Sequence, residues 1–103
     1  MLDIGCGIGG TGIWLARKYD CRTTGITIAP VQAEMAKQNA ENAGVSEKLK
    51  FLVDDADNLN VHGKFDYAFA IEVLHHLHDP GNFYRRISRL IKPRGRFAIS
   101  DWF

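Results

Sequence analysis

The sequence holds only two cysteines, Cys6 and Cys21, and they lie in unrelated contexts. That scarcity excludes a disulfide framework, and a reducing cytoplasm is the expected compartment. No apolar run approaches the roughly 20 residues of a membrane span. No basic leader followed by an apolar stretch and a cleavage site is found, so no secretory signal is expected. Neither sign of charge prevails: 13 Lys and Arg against 12 Asp and Glu leave a formal net charge of +1. Nothing in that balance favours nucleic acid or a membrane surface as partner. Repeats and low-complexity segments are also lacking. What remains is 103 residues, 46% hydrophobic and 24% charged, enough for one domain with a single core.

Within that length, apolar runs alternate with helical patterns. Residues 1–4 form a short apolar run that stops at glycines, the tail of a buried strand. Residues 11–19 carry Ile13, Trp14, Ala16 and Arg17 around a helix, with Thr11 as the expected N-cap. Residues 21–28 are rich in β-branched side chains and read as a strand. Pro30 opens a helix where its missing N–H does no harm, Val31, Met35 and Ala36 continue at helical spacing, and Gly44 ends it. Strands are expected at 49–53 and at 65–71, the latter apolar on both faces. Asp79 and Pro80 start a helix with an apolar stripe through Phe83, Ile87, Leu90 and Ile91, and a strand follows over 95–100. Such alternation gives a parallel sheet with helices on both faces. Ligands then bind just beyond the carboxyl ends of the strands.

After the first strand comes Asp3-Ile4-Gly5-Cys6-Gly7-Ile8-Gly9-Gly10. Glycines let the backbone turn sharply and approach a ligand, and the helix that follows presents free N–H groups to an anionic one. Two patterns overlap here. Gly5, Gly7 and Gly10 fit the dinucleotide fingerprint G-x-G-x-x-G. That fingerprint also needs an acid at the end of the second strand, where this chain has Gly25-Ile26-Thr27-Ile28; Asp20 lies at the strand's other end. Asp3, Gly5, Gly7 and Gly9 fit D-x-G-x-G-x-G instead. This second pattern resembles motif I of class I S-adenosylmethionine-dependent methyltransferases.

Further elements resemble the same family, each after its strand. Thr27, Ile28 and Gln32 resemble a sub-pattern of tocopherol C-methyltransferases and the cyclopropane fatty acid synthase group, in which Thr and Gln replace the usual acid. The resemblance implies that they contact the cofactor's ribose or nearby backbone; a hydroxyl and an amide suit ribose hydroxyls. Asp55 and Ala56 resemble the family's G-D-A element, which implies a hydrogen bond from the adenine amino group to Asp55; Asp54 stands where the family usually has Gly. Gly5, Gly7 and Gly9 would hold the methionine part, and Asp3 would order the loop. After the fourth strand, Glu72 and His76, with His75 beside it, are the candidates beside the methyl group. A histidine can take a proton near neutral pH. Histidines that merely cap and pack a turn remain the alternative. A zinc site from His75, His76 and His78 is disfavoured by adjacent ligands and the lack of a cysteine pair, so no metal is expected. Ile91-Lys92-Pro93-Arg94-Gly95 resembles the Leu-Lys-Pro-Gly-Gly turn, with Arg94 strained if that position needs positive φ. Asp101 and Trp102 either line the acceptor pocket or fray. Cys6 reads as a small packed residue rather than a nucleophile.

The resemblance implies an α/β, Rossmann-like, doubly wound parallel sheet of five strands in the order 3-2-1-4-5. The C-terminal strands of the full fold are missing, and residues 1–103 form a partial S-adenosylmethionine-binding core. It implies methyl transfer from S-adenosyl-L-methionine to a small-molecule or lipid-like acceptor. The alternatives are a non-catalytic fragment that binds the cofactor and, disfavoured by Thr27, an NAD-dependent oxidoreductase. An incomplete sheet exposes an edge, so marginal stability or self-association is expected.

Overall fold

The computed structural model describes residues 1–71 and 77–100. The sequence assignments at Glu72, His75, His76, Asp101 and Trp102 lie outside the described residues. The sheet is built of β1 (Leu2–Ile4), β2 (Thr23–Thr27), β3 (Leu49–Val53), β4 (Phe65–Ile71) and β5 (Ile91–Ser100). Every pairing is parallel, and the spatial order is β3-β2-β1-β4-β5. Among the described residues, three α-helices cross between strands: α1 (Gly10–Tyr19), α2 (Pro30–Asn42) and α3 (Pro80–Leu90). Strand order reverses at β1, which has β2 on one side and β4 on the other. A parallel sheet opens a crevice beyond the carboxyl ends at such a switch. Among the described residues, no helix is long and apolar enough to cross a membrane.

The sheet is buried on both faces because its strand side chains alternate between two clusters. Leu2, Ile4, Ile26, Ala68 and Ala70 pack with Phe83, Ile87 and Leu90 of α3. The expected stripe on α3 is present at Phe83, Ile87 and Leu90, with Phe83 fully buried, but Ile91 is extended and already pairs in β5, so the strand begins ahead of the expected residue 95. Asp79 caps α3 as expected, its carboxylate accepting the Asn82 N–H at 3.1 Å. On the other face, Phe51 and Cys6 pack with Ala36 and Ala40 of α2.

On that second face, packing and backbone geometry decide two features. The stripe on α2 is Ala33, Ala36 and Ala40, while Val31 (72% exposed) and Met35 (47% exposed) face outward. Alanines let the helix lie close to the sheet, and larger side chains there would hold it away. Thr11 is not the N-cap of α1. Gly9, at φ 87°, takes that position without a side-chain cap, and its carbonyl accepts the Ile13 N–H at 3.0 Å. The left-handed turn at Gly9 brings the chain into the helix ahead of Thr11.

Gly44 ends α2 as expected. Its N–H donates to Glu41 O and that of Val45 to Ala40 O, each at 3.0 Å, which is a Schellman motif. The Lys92-Pro93-Arg94-Gly95 turn is an outward bulge on β5, between the pairs Phe65–Ile91 and Tyr67–Arg96. Arg94 is not strained: among the described residues, Asp20 alone of the non-glycines has positive φ. Gly95 is needed for closeness, since a Cβ there would collide with Ile91 Cγ2 and lie 2.8 Å from Asp66 O.

Candidate functional site

The carboxyl ends of β1, β2 and β3 open onto one cavity of about 510 Å³. From the β1 loop, Gly5 and Gly7 line it. From the end of β2 come Ile26, Thr27, Ile28 and Gln32. The β3 loop contributes Asp54, Asp55, Ala56 and Asp57, and Ile71, Leu77 and His78 close the β4 side. The size is that of a pocket for a cofactor-sized molecule.

The β1 loop is shaped by backbone geometry. Gly5, Gly7 and Gly9 all have positive φ, at 76°, 55° and 87°, a region that L side chains avoid. Gly10 has no such requirement, and a Cβ on it would meet nothing within 4 Å. The spacing that the backbone uses is therefore 5-7-9 rather than 5-7-10. Gly5 N–H and Cys6 N–H both donate to Ile26 O, at 3.0 and 2.8 Å, which ties the loop to β2. Among the described residues no loop amide donates to Asp3, so these bonds give the loop its order. Gly9 is not part of the cavity wall. It stands behind it, where a Cβ would lie 2.9 Å from Phe51 Cζ and 3.1 Å from Ala36 Cβ. A Cβ on Gly7 would meet only open space.

Asp3 is also behind the wall. Leu2 and Ile4 point into the α3 side of the core, so Asp3 points to the side where Cys6 packs. It is 4% exposed, and loss of hydration pushes its carboxyl up to about 7. Burial, aided by the charge of Asp3, pushes the Cys6 thiol up to about 12. Cys6 is thus the packed, unreactive residue expected from sequence.

At the β2 end, Thr27 and Gln32 do meet. The Thr27 hydroxyl donates to Gln32 Oε1 at 2.9 Å and accepts the Ala29 N–H at 3.3 Å. Thr27 is thus spent on fixing the turn and its neighbour. Gln32 keeps its Nε2 donors for a partner in the cavity. Ile28 is 69% exposed at the cavity's rim.

The β3 loop is a set of aspartates, each with a separate task. Asp54 takes the Asn60 and Val61 N–H groups on Oδ2 at 3.0 and 2.9 Å, and that of Asp55 on Oδ1 at 2.9 Å. The residue that replaces the family's usual glycine thus builds the turn. Asp55 Oδ1 accepts the Asp57 N–H at 2.9 Å, which leaves Oδ2 open to a donor. Asp57 Oδ1 accepts from His78 N–H at 2.8 Å and Asp79 N–H at 3.3 Å.

Sequence reasoning found Gly5, Gly7, Thr27, Ile28, Gln32, Asp55 and Ala56, all of which line the cavity. It missed the roles of Asp54 and Asp57 and the wall formed by Ile71, Leu77 and His78. A short acid ahead of free backbone amides is the local signal that identifies Asp54. No local signal exists for Asp57, whose partners lie 21 and 22 residues on. Three carboxylates and no lysine or arginine line the cavity among the described residues. Such a wall attracts a cation and repels phosphate.

Comparison with known proteins supplies the context. A family model described as "Methyltransferase domain" matches residues 2–99. The tocopherol O-methyltransferase (chloroplastic) of Arabidopsis thaliana is 38% identical over 103 residues, covering 99% of this chain and 30% of that protein. Among solved structures, the [4+2]-cyclase SpnF superposes with a TM-score of 0.91 at 34% identity, covering 97% of this chain and 37% of that one. Coclaurine N-methyltransferase, bound to N-methylheliamine and SAH, superposes at 0.87 with 26% identity, covering 93% and 28%. The chain spans about a third of the length of the relatives it matches.

Proposed function

The chain belongs to the methyltransferase domain family, and from that premise we propose that residues 1–103 are the S-adenosylmethionine-binding core of an enzyme that methylates a small-molecule or lipid-like acceptor. The observation that carries this reading is the acidic cavity across the tips of β1, β2 and β3. Its donor set fits the cofactor. Gly5 and Gly7 admit the methionine part without side chains in the way. The uncapped amides at the start of α1 suit its carboxylate. Gln32 Nε2 donates to a ribose hydroxyl, and Asp55 Oδ2 accepts from the adenine amino group. When bound, the cofactor would supply an electrophilic sulfonium methyl group to an acceptor nucleophile.

The chain's own part is alignment and exclusion of water. Ile71 and Leu77 line the apolar end of the cavity. Glu72 and His76 lie between them in sequence, which supports their candidacy as the groups that orient the acceptor or take its proton. The acidic wall argues against a dinucleotide, whose pyrophosphate it would repel. Two free cysteines, Cys6 and Cys21, support a reducing compartment such as the cytoplasm. The outer edge of β3, unpaired among the described residues, supports self-association.

The likeness to SpnF favours keeping a second reading, since that protein is described as a cyclase. On that reading the core binds the cofactor without transferring its methyl. One calorimetric titration tests the main step: S-adenosylhomocysteine is expected to bind and NAD not to bind. Gln32→Ala is expected to weaken that binding about 3- to 10-fold, the worth of one hydrogen bond. An unchanged Kd for Gln32→Ala removes the ribose assignment. Binding without methyl transfer to any acceptor selects the second reading.

A further inference from the structure

The cavity's two far walls come from distant stretches of chain, and one side chain joins them. Asp57 belongs to the β3 loop, whose neighbours Asp55 and Ala56 line the nucleoside side. Leu77 and His78 line the opposite side, just before α3. Asp57 Oδ1 takes the N–H groups of His78 and Asp79 together, at 2.8 and 3.3 Å. The Asp57 carbonyl takes Asn82 Nδ2 at 3.3 Å. These bonds span 21, 22 and 25 residues of sequence. The capping of α3 does not need them, because Asp79 caps the helix with its own carboxylate.

We infer that Asp57 is a positioning residue: it clasps the β3 loop to the segment entering α3, so that a nucleoside held by one wall fixes the other. The inference rests on the cofactor reading above and deepens it. The His78 and Asp79 amides lie at exposed positions, so water replaces the carboxylate when it is removed and the fold survives. What is lost is the fixed separation of the two walls, and a ligand that needs both must then restore it on binding.

Asp57→Ala and Asp57→Asn test this together. Asparagine keeps an Oδ1 that can accept both N–H groups; alanine does not. With S-adenosylhomocysteine as probe, Asp57→Ala is expected to bind about 5- to 10-fold more weakly, with Asp57→Asn within about twofold of the parent. Amide exchange by NMR supplies the readout that a merely structural role would not move. Saturating probe slows exchange at His78 and Asp79 in the parent and in Asp57→Asn, but in Asp57→Ala it slows only the β1-loop amides. Equal protection of His78 and Asp79 in Asp57→Ala overturns the clasp, as does an Asp57→Asn variant that behaves like alanine. If the parent does not bind the probe, the cofactor reading fails by itself. The clasp is then judged on the ligand-free proteins, where exchange at His78 is faster in Asp57→Ala if it exists and unchanged if it does not.

Discussion

Gly9→Ala is expected to abolish cofactor binding and to destabilise the fold by about 2–4 kcal/mol, whereas Gly10→Ala, one residue on, is expected to be neutral or stabilising by about 0.5 kcal/mol. Both glycines sit in the same run, and only geometry separates them. Gly9 has φ 87°, so any side chain there is strained, and its Cβ would also press on Phe51 and Ala36 at about 3 Å. The aromatic ring is 6% exposed and Ala36 is fully buried, so neither has room to withdraw. A methyl at Gly9 therefore pushes α1 and the glycine loop away from the core and moves the cavity's floor. Gly10 is in α1 and its Cβ would meet open space, so alanine simply gains helix propensity. Urea unfolding of the two variants, each followed by titration with S-adenosylhomocysteine, reads both effects. Equal behaviour of the pair would remove the 5-7-9 spacing from the account.

Asp3→Asn is expected to stabilise the chain strongly above neutral pH and hardly at all near pH 4. Burial raises the Asp3 carboxyl from 3.8 to about 7 in the folded protein. Between those values the folded state keeps a proton that the unfolded state has already lost. The contribution of Asp3 is therefore most favourable below about pH 4, declines as pH rises through that window, and levels off above about 7. At roughly 1.4 kcal/mol per unit the full span is about 4 kcal/mol at most. Asparagine has the same shape and no proton to lose. Its advantage over aspartate should thus grow from near zero at pH 4 to a few kcal/mol at pH 8. Denaturation at three pH values checks this, and parallel stability curves for parent and variant would contradict it. An acid that lowers stability at working pH is the kind of residue that function, rather than folding, retains.

The fold was legible because its signals are local. Apolar runs, Pro30 at a helix start, Asp79-Pro80 and Gly44 each decide a boundary within a few residues, and the strand order followed from family resemblance. The glycine loop was legible for the same reason: positive φ at Gly5, Gly7 and Gly9 leaves a mark on the residue type itself. The buried face of α2 was not legible, because Val31 and Met35 look more apolar than Ala33 and Ala40. How closely the helix lies to the sheet decides which are covered, and that is a tertiary quantity. Thr27 and Gln32 were both singled out in sequence, but not the hydrogen bond between them that makes Thr27 a support and Gln32 the free donor. Asp54 looked like a misfit for a glycine, and only its bonds to Asn60 and Val61 show that it builds the turn.

Co-crystallisation with S-adenosylhomocysteine addresses the central claim most directly. The account expects the amino-acid tail over Gly5 and Gly7, the ribose against Gln32 and the adenine at Asp55. A nucleoside bound away from those residues, or crystals that take up none at saturating concentration, would contradict it.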